Sequence, residues 1–508
     1  MFYRIILFFL FPVLLNAECL TCHKNISYMD KNHSFKCEVC HIAANKKENN
    51  QCKYPVIKNP SDFKYVNLKC GKCHSDDIKK VKNSLMYTNA GIINITRYLW
   101  RIEKSVKLKY TTENIPDKTL VDDFLRKVCL RCHINTEGSK RFGEFRSSGC
   151  AACHIVYKNN GNHKHKFSKK IPVIQCLHCH NFNRVGLDYA GYFEHNYALS
   201  YRSPIINGKP QKKIYGVIQH RLNPDIHFKK GMKCIDCHSK EEIMGDGNRY
   251  LFKYQAVKVK CINCHKNKHK NDINHKNLEC YTCHSLWGFQ DYGMHAVRED
   301  YQGYIRWKFF KDINIPDTQK ILEYSLGSYG DTSKLNIKIP VKIKNIKPFE
   351  TDYISHKKKL GVWYILWTFR RWEDPVLGIN QRGKISPVRP DYQFYVTWIN
   401  DNMEVKVDNE RMIFNWSPYV PHTTTKYGRD CYSCHFNLKT LGLGYGLIGN
   451  NGKVLNMFDM KKDKNFKIDF PLEKITTIKG KVLQKFIYPE AKPLPVNIIK
   501  KTFLERLK

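Results

Sequence analysis

Long apolar runs are missing from this sequence: beyond residue 17 no segment approaches eighteen consecutive apolar residues, roughly the least that a membrane-spanning helix requires. Acidic residues are scarce too, 46 Asp and Glu against 86 Lys and Arg, for a formal net charge of +40. That excess does not point to nucleic acid, because the basic residues are spread evenly and no nucleic-acid-binding motif accompanies them. A solvated surface, or an acidic partner drawn in by the field, accounts for it.

What the chain has in abundance is cysteine. Twenty of the 21 cysteines fall in ten C-x-x-C-H pentads: Cys19/Cys22/His23, Cys37/Cys40/His41, Cys70/Cys73/His74, Cys129/Cys132/His133, Cys150/Cys153/His154, Cys176/Cys179/His180, Cys234/Cys237/His238, Cys261/Cys264/His265, Cys280/Cys283/His284 and Cys431/Cys434/His435. A random chain of this composition would hold far fewer than one. The pentad is the attachment pattern of c-type haem, in which both thiols bond to the porphyrin vinyl groups and the adjacent imidazole becomes the proximal iron ligand. Zinc ribbons also use C-x-x-C pairs, but they need no His after the second Cys, and a disulfide framework needs none either. The expectation is ten covalent haems, whose propionates offset part of the positive charge. Cys52 is left over and reads as a free thiol.

The stretch MFYRIILFFLFPVLLNAEC carries one positive charge, Arg4, then an apolar run from Ile5 to Leu15 and a small-residue site ending at Ala17. It reads as a signal peptide over residues 1–17, with an uncleaved anchor as the competing reading. Glu18 before Cys19, and the need for Cys19 in the first pentad, argue against a lipoprotein. The mature chain is expected in the periplasm or at the cell surface.

Residues 18–300 hold nine pentads, about one per 31 residues, too few for each haem to own a hydrophobic core. The haems themselves are then the core of a mostly α and irregular domain. Short gaps between first cysteines, 18 residues from Cys19 to Cys37, 21 from Cys129 to Cys150 and 19 from Cys261 to Cys280, suggest haems in close pairs. The long gap after Cys73 holds an insert, SLMYTNAGIINITRYLWR. Residues 301–430 contain no pentad but six of the eight tryptophans, in runs such as NIKIPVKIKNIK, GVWYILWTF and YQFYVTWIN, and read as a β-rich, haem-free domain with a sandwich core. The tenth pentad and a tail with a short helix, VNIIKKTFLERLK, occupy 431–508, making the whole α+β.

Twelve of the 22 histidines lie outside proximal positions. His33, His227, His275 and His422 lie 4, 7, 5 and 9 residues before a pentad, and His163, His165, His220 and His269 lie 11 to 14 before one. These eight, with His195 and His295, are candidate distal ligands, since a second imidazole makes the iron six-coordinate and suits it to electron transfer. His269 and His275 are expected to serve haems other than those they sit beside. His178, inside its own pentad, and His356 read as structural. The tenth pentad follows the ninth by 151 residues, so its haem is expected on a separate framework, with His422 closing its distal face and Lys426, Tyr427 and Arg429 nearby as anion-binding groups. The acidic loop EEIMGDG reads as a solvated turn.

With these pentads, and stretches such as RSSGCAACHIVY, QCLHCHNFNRVGLDYAGYFEHNY and DIHFKKGMKCIDCHSKEEIMGDG, the chain resembles the multihaem c-type cytochromes of bacterial respiration, decahaem members among them. The resemblance implies bis-His haem wires that move electrons outside the cytoplasm in anaerobic respiration, with redox protein partners such as a quinol-linked donor or other cytochromes. Some relatives are enzymes: pentahaem nitrite reductases, octahaem hydroxylamine oxidoreductases and octahaem tetrathionate reductases. The C-x-x-C-K motif of the nitrite reductases is absent here. The nine-plus-one layout also differs from surface decahaem cytochromes built as two five-haem halves around β-barrels. Three functions follow: an electron conduit, a reductase or oxidase of a small nitrogen or sulfur oxyanion at one open haem, and a subunit of a haem filament or other oligomer.

Overall fold

The computed structural model describes residues 29–42, 56–136, 145–158, 161–181, 186–194, 219–266, 274–300, 348–443 and 488–504, apart from short breaks, with a few isolated positions and strands besides. The proposed signal peptide, the first pentad with Cys19, Cys22 and His23, and Cys52, His195 and the NIKIPVKIKNIK run all lie outside the described residues.

The insert between the third and fourth pentads folds into helices for readable reasons. After α1 (Gly71–Asn83), α2 (Ala90–Leu99) buries Ile93, Arg97 and Tyr98, and Asn94 ties it to the following loop by bonding the Tyr110 carbonyl at 2.7 Å and the Tyr110 amide at 3.0 Å. Helix α3 (Leu120–Lys127) starts at a capping box, Thr119 and Asp122 each accepting from the other's backbone amide. Its Val121, Phe124 and Leu125 recur at the three- and four-residue spacing of one helix face, and all three are buried.

That face is covered by a sheet. Strands β1 (Gly288–Glu299), β2 (Val362–Trp372), β3 (Leu377–Ile379), β4 (Ile385–Asp391), β5 (Phe394–Ile399), β6 (Val405–Arg411), β7 (Asn415–Pro418) and β8 (Lys492–Pro493) form two four-stranded sheets, in the orders β2-β1-β5-β6 and β7-β4-β3-β8. In the first, β2 runs antiparallel to β1 and β5 parallel to it. Ala296, Trp363, Val396 and Met412 from this sheet region share one core with Ile93, Trp100, Phe124 and Leu125 from the helical insert. The Trp363 ring meets Phe124 edge-on, with centroids 4.9 Å apart. Two expectations are corrected here. The sheet begins at residue 288, before the boundary at 300, and Trp363 packs against helices instead of closing a sandwich with a second sheet. A half-apolar sheet must bury its face against something, and the insert offers the complementary apolar face.

The second sheet is backed by Leu441 and Leu443, just after the tenth pentad, and by Leu494 and Ile499 of the tail, with Leu377. The tail helix Val496–Leu504 forms as expected. Among the described residues no helix is long and apolar enough to cross a membrane.

A buried charged seam joins α3 to the hairpin before β2. Arg126 Nε donates to Asp352 at 2.8 Å, Lys127 Nζ meets Asp123 at 2.8 Å and donates to the Gly361 carbonyl at 3.0 Å, and Trp363 Nε1 donates to Asp123 at 2.7 Å. Asp352 is 1% exposed. Burial alone would raise its pKa, but hydrogen bonds from Lys359, the Ser355 amide, Arg126 and the Ile354 amide outweigh burial and hold the carboxyl far below the usual range. Its folded pKa is depressed, so its contribution is fully present above the unfolded value and is lost as pH falls through the folded one. Asp352→Asn should cost about 3–5 kcal/mol by leaving Arg126 uncompensated. Urea midpoints should fall at neutral pH and converge with wild type in strong acid; equal midpoints at pH 7 would show that the seam contributes nothing.

Candidate functional site

Each described pentad is built on one helical turn. His74, His154, His180, His238, His265 and His435 donate their backbone amides to the carbonyl of their own first Cys at 2.9–3.0 Å, the i to i+4 bond of a helix. That turn brings the cysteines at i and i+3 and the imidazole at i+4 to one side. The eighteen described pentad cysteines are unbridged. The expected first attachment site, Cys19 and Cys22 with His23 as proximal residue, falls outside the described residues, so the geometry below concerns the second to tenth pentads.

The non-pentad histidines meet these turns in a repeated way. His33 stands opposite His74 with ring centres 6.2 Å apart, His165 opposite His41 at 6.1 Å, and His422 opposite His238 at 6.5 Å. His227 faces His265 at 6.0 Å, His269 faces His284 at 6.1 Å, and His275 faces His435 at 6.1 Å. In all six, one partner is a pentad His and the other is not. A metal–imidazole bond of about 2 Å on each side, plus about 1 Å from each ligating nitrogen to its ring centre, puts two imidazoles sharing a metal about 6 Å apart. The residues therefore fit an iron held between two imidazoles. Among the described residues no three or more His, Cys, Asp or Glu side chains converge as a metal site. Zinc would ask for such a set, whereas a haem iron takes four ligands from its porphyrin and two from the protein.

The other ring nitrogen is fixed in most cases. Nδ1 of His33, His74, His227 and His238 bonds Asp30 at 3.1 Å, Asp77 at 3.4 Å, Asp225 at 2.8 Å and Glu242 at 2.9 Å. His41, His154 and His284 bond the carbonyls of Ile57, Ser168 and Thr425 at 2.8, 2.9 and 3.2 Å. With the proton held on Nδ1, Nε2 keeps its lone pair for a metal. Sequence reasoning missed these four carboxylates, although spacings such as Asp225-x-His227 and His238-x-x-x-Glu242 carry the signal. Glu242 belongs to the EEIMGDG stretch, and it is committed to His238 instead of lying in a solvated turn.

The pentads surround a cavity of about 4220 Å³, lined by thirteen cysteines from the fourth to the tenth. That is several times the ~300–1,000 Å³ of a pocket for one small ligand. Thiols of different pentads touch around it: Cys132 with Cys179, Cys176 with Cys234, and Cys261 with Cys280 are in hydrogen-bond contact. Cys237 lies near Cys264, Cys283 near Cys434, Cys40 near Cys70, and Cys70 near Cys150. Cys153 lies near Cys176 and Cys179. The neighbour order is two, three, five, six, seven, eight, nine, ten, with the fourth pentad attached at the sixth.

The expectation of a separate tenth site is therefore corrected. Thr425 bonds His284, the Ser285–Thr424 bridge joins the two segments, and the tenth pentad neighbours the ninth. The residue facing His435 is His275, while His422 reaches back to His238; the sheet, by carrying 415–435 alongside 278–288, closes the 151-residue gap in space. Arg429 donates to the Leu286 carbonyl, so it too ties the tenth segment to the ninth.

Of the remaining candidates, His295 stands on β1 with Nε2 bonded to Thr397 Oγ1 at 2.8 Å, and His163 lies against Tyr157 with ring centres 4.5 Å apart. His220 lies on a short strand opposite Phe193. Of the pentad histidines, His133 bonds the Tyr87 carbonyl through Nε2 at 2.5 Å, and burial lowers its pKa to about 4; burial also lowers that of His180. No family model matches the chain, and no curated protein or solved structure is significantly similar to it.

Proposed function

We propose that the chain is a multihaem c-type cytochrome that carries electrons through ten covalently attached, mainly bis-His haems outside the cytoplasm. The single observation that carries this reading is the set of six pentad–spare imidazole pairs at 6.0–6.5 Å. When bound, each haem supplies one-electron exchange between ferric and ferrous iron. The protein's part is to fix the two axial imidazoles, so that the iron changes coordination little on reduction, and to pack successive attachment turns against one another. Closure of both axial faces favours transfer over substrate chemistry. The basic surface supports docking of acidic redox proteins, and the sequence supports export to the periplasm or cell surface.

Matured in a host with a cytochrome c maturation system, the protein should exceed its polypeptide mass by ten haems, a count that intact-mass spectrometry reads directly; a shortfall removes pentads from the site. His275→Ala should turn one low-spin ferric haem high-spin in electron paramagnetic resonance, and that signal should be absent when Cys431→Ala/Cys434→Ala removes the tenth haem. His422→Ala should do the same for the seventh, held by Cys234 and Cys237. A His422→Ala signal that vanishes with the tenth haem instead would reverse the pairing. Glu242→Gln, by weakening the electron-rich character of His238, should move one midpoint upward in a spectroelectrochemical titration while mass and spin state stay unchanged.

A further inference from the structure

We infer that the fourth pentad departs from the other described ones: its His133 is held by the protein instead of by iron, which leaves the haem attached through Cys129 and Cys132 open to a small anionic ligand; the inference rests on the haem reading above. The backbone differs first. Six pentads carry a bond from the His amide to the carbonyl of their first Cys, whereas Cys129–Cys132 form a turn of 3-10 helix and the His133 amide reaches only the Leu130 carbonyl, at 3.1 Å. His133 has extended backbone, so the helical bond that carries the other imidazoles to the cysteine side does not carry this one.

The ring differs as well. Its Nε2 lies 2.5 Å from the Tyr87 carbonyl, which can only accept, so the proton is on Nε2. In His41, His154 and His284 a carbonyl holds the proton on Nδ1 and Nε2 keeps its lone pair; His133 is the reverse tautomer. Its surroundings fix it there. Thr112 donates to the same Tyr87 carbonyl at 2.7 Å, the Tyr87 ring packs on the imidazole with centres 5.5 Å apart, and Thr136 donates its amide and hydroxyl to the His133 carbonyl at 2.9 and 2.7 Å. None of the six facing pairs uses His133. This residue does not fit the part of axial ligand that its place in the pentad assigns.

The surroundings of the pentad give the ligand its class. Cys129 and Cys132 line the large cavity, and Cys129 packs with Leu99, Phe124 and Val128, apolar side chains that offer an iron no ligand. Arg146 is 5% exposed and donates to the Arg131 carbonyl at 2.9 Å and to Thr136 Oγ1 at 2.7 Å, on either side of His133. Its charge is felt at His133, Cys153 and Cys179. A buried cation there favours a small anion over a neutral molecule. The fourth pentad joins the row from the side, through Cys132 and Cys179, so an exchangeable ligand on it leaves the run from the fifth to the tenth uninterrupted.

The test uses the full-length matured protein with azide as the anionic probe. Wild type should carry ten haems by mass and show a high-spin ferric signal that azide converts to low-spin, and Cys129→Ala/Cys132→Ala should lose one haem and that signal with it. Arg146→Gln should keep ten haems and bind azide several-fold more weakly, and it marks the site alone should the double variant fail to mature. Wholly low-spin, azide-insensitive haems in the wild type overturn the inference, as does a high-spin signal that survives loss of the fourth haem. Azide affinity unchanged in Arg146→Gln overturns the anionic class of ligand. A wild-type mass without haem would instead sink the underlying reading.

Discussion

Everything in this molecule is arranged around a separation of about 6 Å between two imidazole rings that come from distant parts of the chain. Such a gap is the width that one metal with two axial bonds requires. In five of the six pairs at least one ring is oriented from behind by an Nδ1 bond, to Asp30, Asp77, Asp225 or Glu242 or to a backbone carbonyl.

The choice between carboxylate and carbonyl behind a ligand also has an electronic consequence. A carboxylate makes the imidazole a stronger donor and favours the oxidised metal, whereas a neutral carbonyl does so less. The third, seventh and eighth pentads have carboxylate-backed rings in their pairs, and the second and ninth have carbonyl-backed pentad rings. On the haem reading, the row is not electronically uniform. On that reading, differences of this kind would set steps along a transfer path without any change of cofactor.

The β-sheets serve that row instead of standing apart from it. One sheet covers the helical insert between the third and fourth pentads, and the segment 415–435 is carried back against the eighth and ninth pentads, which brings Thr425 to His284 and the tenth pentad beside the ninth. The buried Arg126–Asp352, Lys127–Gly361 and Trp363–Asp123 contacts couple the same sheet to α3, whose last residue lies two before Cys129. Sheet and pentad-bearing region share a core, so displacement of one strains the other.

The ten pentads and the tail helix were legible in the amino-acid order, because each depends on residues within a few positions of one another. That His33, His165, His227, His269, His275 and His422 deserved notice was legible too, from their closeness to pentads. Their partners were not. His422 lies nine residues before Cys431 yet faces His238, and His275 faces His435 at the far end of the chain, because sheet pairing across 288–418 decides which segments lie side by side. Local order determined what each turn can bind; the long-range packing of sheets and insert decided which two turns meet, since that depends on contacts hundreds of residues apart that no local pattern encodes.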